Sequence, residues 1–359
     1  MSALQTTLSV MAAWDGEAVP RRSDDPASTA GRRPLSDPEA AARRAALRAE
    51  RIAAGLEELD RWLRDRIRSG LSGLEHAGYA EIDQIAARMV DAQAPGVANL
   101  LRAIPAELAG PGWPARVLEH FAALYLLIQA HRRLAELPPE LQATVRSRVG
   151  YPVAKRDVLA RPGVADRWLA VGMVDVVEFR LETRRVWLRG QTTGQWALWL
   201  NFAPPGGYLD TTVLPGHILD AELHFYPGSG QRRALIGRLV DLGEAADRRT
   251  VPDTETLADV QRRFAQLLAE DPWATRMPAL LEATPIPGAA GEPWLLRDRA
   301  GTACRLVEPT GAPWYLLARS GGEPIVLFGE WDGRALRPLG VLPDGRGMPF
   351  NPLAYGRVA

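Results

Sequence analysis

Residues 86–102 read AARMVDAQAPGVANLLR, and this stretch decides how the first half of the chain folds. Apolar residues recur at helical spacing on both sides of its centre, at Ile82, Ile85 and Met89 before it and at Val97, Leu100, Leu101 and Ile104 after it. Between them, Gln93, Ala94, Pro95 and Gly96 interrupt the helical pattern. The stretch therefore predicts a helix, a structural corner and a second helix.

Asp91 and Gln93 lie where the first of these helices ends, and a carboxylate there faces the negative end of the helix dipole. Such a departure from the usual charge preference can mark a functional residue. We favour a structural interpretation, in which Asp91 accepts hydrogen bonds from the free amides that begin the next helix. On this interpretation Asp91, Gln93, Pro95 and Gly96 form a corner.

Two further helical patterns extend this half of the chain. One long pattern runs from the capping residues at Ser36 to Glu39, with apolar residues at steps of three and four from Ile52 to Leu74. Another runs from Trp113 to Leu134 and is apolar around much of its circumference, which predicts the central helix of a helical domain.

After residue 160 the period of the pattern changes from helical to alternating. Apolar and polar residues alternate around Phe179–Thr183, Trp196–Phe202 and Ile218–Tyr226, as in half-buried antiparallel strands. The fold class is therefore α+β, an N-terminal helical domain followed by antiparallel strand-rich domains. The predicted boundaries are a disordered tail at 1–35, the helical domain at 36–160, an antiparallel strand-rich domain at 161–245, a helical linker at 246–290 and a second small strand-rich unit at 291–359.

Composition excludes several classes of function. Lys plus Arg and Asp plus Glu number 43 each among 359 residues, so no global charge attracts nucleic acid or an anionic membrane. We find neither a transmembrane segment nor a secretory signal, and we expect a cytoplasmic protein. Cys304 is the only cysteine, which excludes an internal disulfide and a cysteine-based zinc finger within this sequence.

Histidine spacing does not indicate a metal site. His120 and His131 share a helical face but lie about 16 Å apart along the axis, too far to bind one ion. The sequence also lacks an HExxH motif. We therefore expect packed or surface histidines and no metal ligand.

Polar residues of the strand-rich domain are the candidate binding residues. Asp220, Glu222 and His224 share one face of a predicted strand, and Arg232 and Arg233 follow a Pro227-Gly228-Ser229-Gly230 turn that could present amides and guanidinium groups to an anion. We favour a plain turn. Trp196 shares a face with Leu198 and Leu200 and is assigned to the interior, while Trp199 lies on the opposite face and is the candidate stacking residue.

Long segments of the chain resemble one known family. The segments RIAAGLEELDRWLRDRIRSGL at 51–71, ARMVDAQAPGVANLLR at 87–102 and GWPARVLEHFAALYLLIQAHRRLAELPPELQATVRSRVG at 112–150 look like the region downstream of the finger in bacterial SWIM zinc-finger proteins. The segments RRVWLRG at 184–190, QWALWLNFAP at 195–204 and LDAELHFYPG at 219–228 extend the likeness. It covers about residues 38–243.

The finger of that family carries its zinc ligands as CxC followed by CxH, and no cysteine precedes residue 36 here. The resemblance therefore implies zinc as a cofactor but supplies no ligand for it, so we assign no cofactor. We expect that either the gene start or the protein has lost the finger, or that this is a diverged relative that never had it. Because members of this bacterial group tend to be encoded near an AAA-type ATPase and a von Willebrand A-type protein, the resemblance implies an adaptor with such a protein partner.

Three functions remain open. The sequence lacks a catalytic constellation, so the first hypothesis is a non-enzymatic protein-interaction module. The second is an enzyme or nucleotide- or anion-binding protein with a site between domains, in which Asp220, Glu222, His224 and Arg232 would converge on a pocket. The third is nucleic-acid binding, which the neutral charge and the missing finger disfavour.

Overall fold

The computed structural model describes residues 38–108, 112–178, 181–204, 206–230, 232–243, 245–289, 292–307, 313–343 and 351–352. The predicted tail at 1–35 and the cap at Ser36 lie outside these ranges. The chain divides into two compact units, the first ending at Pro152 and the second beginning at Val153. The first is helical and the second is built mainly from strands, so the α+β prediction is confirmed.

The first unit contains five α-helices within its described part. They are α1 (Pro38–Ser69), α2 (Leu74–Asp91), α3 (Pro95–Ala103), α4 (Trp113–Arg132) and α5 (Pro139–Val149). The sequence predicted one apolar helical stripe through Leu74, but α1 ends at Ser69. Gly70 has a φ of 85°, a left-handed conformation that suits glycine and interrupts the helix, so Leu74 begins α2 instead.

The second unit starts with a short helix, α6 (Lys155–Leu159), and then forms a closed five-stranded barrel. Its strands are β1 (Val164–Glu178), β2 (Leu181–Gly190), β3 (Trp196–Ala203), β4 (Ile218–Phe225) and β5 (Arg233–Asp241). The order around the barrel is β1-β2-β3-β5-β4, with β3 and β5 parallel and the other pairs antiparallel. This is the connectivity of five-stranded Greek-key barrels of the OB type.

A second set of strands repeats this connectivity. It contains β6 (Met277–Ile286), β7 (Leu295–Asp298), β8 (Ala303–Leu306), β9 (Ile325–Trp331) and β10 (Ala335–Val341), with the two-residue strand β11 (Asn351–Pro352) added at the edge of β10. The pairs β6–β7, β7–β8, β8–β10, β10–β9 and β9–β6 form a ring in which only β8 and β10 run parallel. The described strand-rich unit is thus a tandem of two rings with one topology.

This tandem corrects the predicted helical linker at 246–290. Its first half is helical, because α7 (Leu257–Glu270) begins at a capping box between Thr256 and Asp259. Its second half contains β6, the first strand of the second ring, in which seven of the ten residues are buried and three are half-buried. An apolar run such as the start of β6 is compatible with either a buried helix or a buried strand. Here the segment forms a strand because it pairs with β7 and β9. A second short helix, α8 (Trp314–Ser320), precedes β9.

The barrel and the second ring share an apolar interface. Trp187 and Trp196 on the outer face of β2 and β3 pack in one buried cluster with Leu280, Phe328 and Leu339 of the second ring. On β1, a Cβ at Gly172 would overlap the Phe328 ring, so the small residue allows this close approach. In OB barrels the face of strands 2 and 3 is the usual binding surface, and in this protein the second ring covers part of it.

Candidate functional site

The predicted corner is a Schellman motif that ends α2. The amide of Ala94 donates to the carbonyl of Met89 at 2.8 Å, and the amide of Gln93 donates to that of Val90 at 2.9 Å. Gln93 occupies the left-handed position with a φ of 62°, which is uncommon for a residue with a side chain. Its Oε1 accepts a hydrogen bond from Arg48 Nε of α1 at 3.1 Å, so the corner ties α1 and α2 together.

The capping role predicted for Asp91 is wrong. Helix α3 begins at Pro95, its N-cap residue Ala94 makes no side-chain cap, and Pro95 has no amide hydrogen that would need one. Asp91 is exposed. Close packing fixes the corner instead, because a Cβ on Gly96 would overlap the carbonyl of Arg148 in α5. Gln93, Pro95 and Gly96 thus shape the corner through backbone geometry, close packing and the hydrogen bond from Arg48, and not through the charge of Asp91.

Helix α4 has an exposed apolar face. Its core side is formed by Val117, Phe121, Leu124, Leu127 and Ile128. On the opposite side Leu118, Tyr125 and Leu126 are 48%, 41% and 46% exposed, and Ala122 lies between them. Spacings of three, four and seven residues place these four side chains on one continuous face. The predicted central helix is therefore buried on one side only.

A fixed network of charges borders this face. Asp60 on α1 is buried and accepts hydrogen bonds from Arg64 at 3.1 Å and from Arg132 of α4 at 2.9 Å. Burial raises the pKa of Asp60, but the two arginines outweigh this effect and leave the pKa below its ordinary value. The Arg64 guanidinium also lies 5.6 Å from the centre of the Tyr125 ring. The network thus holds Tyr125 in place beside α1.

The carboxylates and histidine predicted on β4 do not form a pocket. Asp220 is exposed and Glu222 is half-buried. His224 is buried, its Nδ1 lies 2.7 Å from the carbonyl oxygen of Arg161, and its ring fills the space beside Gly237. The three residues do share the outer face of the barrel, as predicted, because Leu219, Ala221 and Leu223 between them point into its core. None of the three lines the cavity that contains Arg232.

Both tryptophans of β3 are buried, so the interior assignment of Trp196 holds and the open face predicted for Trp199 is wrong. Trp199 is buried inside the barrel with Ala197 and cannot serve as an exposed stacking surface. Trp196 lies on the outer face, where its ring is 5.6 Å from that of Phe328. The alternation was predicted correctly, but period-two alternation alone does not say which face is the core when both faces are covered. Arg233 lies over the rings of Tyr226 and Phe202, at 4.3 and 5.6 Å from their centres.

A cavity of about 730 Å³ opens where the barrel, α7 and β6 meet. Most of its lining is polar or charged, and it contains three arginines from three elements: Arg189 at the end of β2, Arg232 just before β5 and Arg263 on α7. The remaining lining residues are Gly194, Gln195, Trp196, Phe225, Asp253, Thr254, Glu255 and Leu280. Of the predicted binding residues, the structure brings only Arg232 to this cavity.

The three arginines are held in different ways. Arg263 donates to Glu255 with Nε at 2.8 Å and Nη2 at 2.6 Å, and Nη2 also donates to the carbonyl of Pro278. The guanidinium of Arg189 lies 4.8 Å from the centre of the Trp196 ring. Burial lowers the pKa of Arg189, Glu255 raises it and Arg263 lowers it further. Loss of hydration also lowers the pKa of Arg232, although part of that side chain stays exposed.

Asp166 fixes the β2–β3 hairpin that carries Arg189 and Trp196. It is buried and accepts hydrogen bonds from the amides of Arg167, Thr192 and Thr193 and from the Thr193 hydroxyl, at 2.7 to 3.2 Å. Burial raises the pKa of Asp166, and these hydrogen bonds lower it by more. The hairpin at the edge of the cavity is therefore rigid before any ligand arrives.

Glu330, which the sequence did not predict, is a buried carboxylate between the barrel and the second ring. Its Oε1 accepts hydrogen bonds from Arg185 at 2.7 Å and from the Trp187 indole at 2.8 Å, and Oε2 lies 3.4 Å from Arg276. Burial raises the pKa of Glu330, but the arginines and the indole hold it below its ordinary value. The only signal in the sequence is a glutamate within the apolar run IVLFGEW.

No metal site and no membrane span emerge from the part of the chain that the structure describes. Within it, no three His, Cys, Asp or Glu side chains are grouped so that they could hold a metal ion. No helix there combines the length and the apolar character needed to cross a bilayer. Cys304 packs in the core of the second ring, where burial raises the pKa of its thiol to about 12.

The architecture defines a class of protein, a helical-bundle unit followed by a tandem of five-stranded rings. Residues 47–149 match the family model of the SWIM-associated four-helix bundle domain. The match spans α1 to α5, including the corner and the exposed face of α4, and supports a SWIM-family region in this chain. No curated protein and no solved structure matches the sequence.

Proposed function

We propose that this chain is a non-enzymatic adaptor whose helical unit binds a protein partner in the cytoplasm through the exposed face of α4. The observation that carries the proposal is that three large apolar side chains, Leu118, Tyr125 and Leu126, are exposed together on a helix that is apolar around most of its circumference. A helix of that composition is normally buried on all sides. A contiguous apolar face bordered by charged residues is typical of a protein-interaction surface.

The shape and chemistry of the face favour an amphipathic helix as the occupant. The apolar stripe follows the axis of α4, and a partner helix can lay its own apolar stripe along it. The ordered Asp60, Arg64 and Arg132 network offers polar partners at one border. From the family resemblance, we propose an AAA-type ATPase or a von Willebrand A-type protein as the source of this helix.

The size of the expected effect follows from the exposure. Leu118 and Leu126 each have about half of their surface exposed, so burying the remainder in a complex stabilises it by about 1 kcal/mol per side chain. Replacing both by glutamate should therefore weaken binding by at least about 2 kcal/mol, about thirtyfold in Kd. Both side chains point away from the core, so the free protein should keep its stability.

The experiment compares the Leu118→Glu/Leu126→Glu variant with a matched control, Leu47→Glu. Leu47 is 53% exposed on α1 and lies about 25 Å along the helix axis from Arg64, the residue that touches Tyr125. Tagged wild type and both variants are used to recover partners from the native cytoplasm, and each recovered protein is then purified and titrated directly. The proposal requires a stoichiometric protein partner that the double variant loses and Leu47→Glu retains. Equal recovery by all three, or no stoichiometric partner, contradicts it.

The rival functions have less support. A site formed by Asp220, Glu222, His224 and Arg232 is disfavoured because only Arg232 reaches the cavity. Nucleic-acid binding through the β2 and β3 face of the barrel is disfavoured because Trp187 and Trp196 on that face are buried against the second ring. An OB-type topology does not by itself imply nucleic-acid binding.

A further inference from the structure

The cavity between the barrel and the second ring has features of a ligand site that the adaptor function does not use. Its volume of about 730 Å³ lies within the range of small-molecule sites. Hairpin β2–β3, the segment before β5 and helix α7 each contribute one guanidinium group to it. Because these elements are distant in sequence, the convergence of three arginines is a property of the fold and not of a local basic run.

Arg189 is the group best placed to meet a ligand. Within the described residues its guanidinium forms no ion pair with a carboxylate, and its contact is the face of the Trp196 ring. The Trp196 ring itself packs near Phe328, and Asp166 accepts hydrogen bonds from the hairpin that carries Arg189. A guanidinium group presents its N–H donors in one plane, which suits a carboxylate or a phosphate.

The electrostatics of the cavity favour an added negative charge. Burial lowers the pKa of Arg189 and of Arg232 most, and Arg263 lowers both further, while Glu255 raises that of Arg189 and Glu270 raises that of Arg232 without restoring either to its ordinary value. Glu255 is already engaged by both nitrogens of Arg263, and Asp253 is exposed to solvent. An oxyanion beside Arg189 and Arg232 would compensate their loss of hydration with charge-assisted hydrogen bonds.

We propose that this cavity binds a small oxyanion-bearing ligand, a phosphate or carboxylate compound, with Arg189 as the main contact and Arg232 and Arg263 beside it. A polar lining of this kind does not fit an apolar ligand. The site lies in the strand-rich unit and is independent of the proposed adaptor face, so either proposal can fail without the other.

The test is calorimetric titration of the full chain with three probes: inorganic pyrophosphate, malonate and ADP. Pyrophosphate and malonate separate a phosphate from a carboxylate preference, and ADP asks whether an organic phosphate binds more tightly. The variants are Arg189→Gln, Arg189→Lys and the control Arg262→Gln, which changes an exposed arginine next to Arg263 on α7. Thermal unfolding without ligand establishes that each variant is folded, and Arg189→Lys keeps the positive charge if the glutamine variant is unstable.

We expect at least one probe to bind the wild type with one-to-one stoichiometry. Arg189→Gln should bind that probe at least tenfold more weakly, and Arg189→Lys should have an intermediate affinity. The affinity of Arg262→Gln should lie within twofold of that of the wild type. Absence of binding by all three probes up to about 10 mM, where even a millimolar site would be filled, overturns the proposal. Equal binding by wild type and Arg189→Gln also overturns it, because the anion would then bind elsewhere.

Discussion

Removing the carboxylate of Glu330 should destabilise the strand-rich unit more than any change of an exposed charge. Its side chain is 1% exposed, while those of its partners Arg185 and Arg276 are 21% and 41% exposed. Glu330→Ala would leave Arg185 and the Trp187 indole without their acceptor in a buried place. Breaking a buried ion pair from one side costs about 3–5 kcal/mol, and the partial exposure of both arginines places this case near the lower end, about 3 kcal/mol. Glu330→Gln keeps an acceptor oxygen and should cost less, about 2 kcal/mol.

The pH dependence of the unfolding free energy distinguishes the contribution of the Glu330 charge from that of its packing. The folded-state pKa of Glu330 lies below its ordinary value of 4.5, so the charged form stabilises the fold above that pH. This contribution is lost as the pH falls from 4.5 through the folded-state pKa. The difference in unfolding free energy between wild type and Glu330→Gln should therefore be constant near neutral pH and shrink below pH 4.5.

The assay is urea unfolding of the full chain, followed by tryptophan fluorescence and by circular dichroism, from about pH 7 down to about pH 3.5. For a unit of this size about 3 kcal/mol corresponds to a fall in Tm of about 6–12 °C, which gives an independent measure. A loss below about 1 kcal/mol in Glu330→Ala would refute the ion-pair reasoning, since it is no more than an exposed pair contributes. So would a wild-type advantage over Glu330→Gln that does not change with pH.

Four further predictions concern the helical unit. Gly96→Ala should cost about 1–3 kcal/mol because its Cβ would overlap the Arg148 carbonyl, whereas Gly73→Ala, with open space around it, should be neutral or stabilising by thermal unfolding. Asp91→Ala should not lower Tm, since it removes an exposed carboxylate from a helix C-terminus; a clear loss would restore the capping interpretation. Asp60→Asn should cost about 1–2 kcal/mol in urea unfolding, an effect that shrinks as the pH falls from 3.8 through the folded-state pKa, because that pKa is lowered. Burial lowers the pKa of His131 below 6.5, so wild type should lose stability as the pH falls below 6.5, and His131→Phe should lack that loss.

Local sequence patterns predicted the helices and strands well where one face of each is exposed to solvent. The α+β class, helices α2 to α4 and strand β4 follow from the period of the apolar residues, because burial on one side imposes a regular apolar spacing. The prediction failed where both faces are covered. Trp196 and Trp199 alternate as expected, but Trp199 faces the barrel core and Trp196 faces the second ring. No local sequence pattern predicts the contact with the second ring.

The candidate sites depended even more on distant contacts. Arg189 and Arg263 are 74 positions apart and show no shared signal, since arginine is abundant along the whole chain. Arg232 was found because it follows a glycine-rich turn, a local feature. Asp91 was misassigned because the corner is held by left-handed Gln93 and by the closeness of Gly96 to α5, and both are properties of backbone geometry.

The exposed face of α4 is the centre of this account, and site-specific photo-crosslinking tests it most directly. A benzophenone amino acid is placed at position 118 or, as the control, at position 47, and the full chain is irradiated in an extract of its native cells. We predict a crosslinked protein partner from position 118 and none from position 47. Equal crosslinking from both positions, or products from position 118 that contain only this chain, would contradict the claim that α4 binds a protein partner.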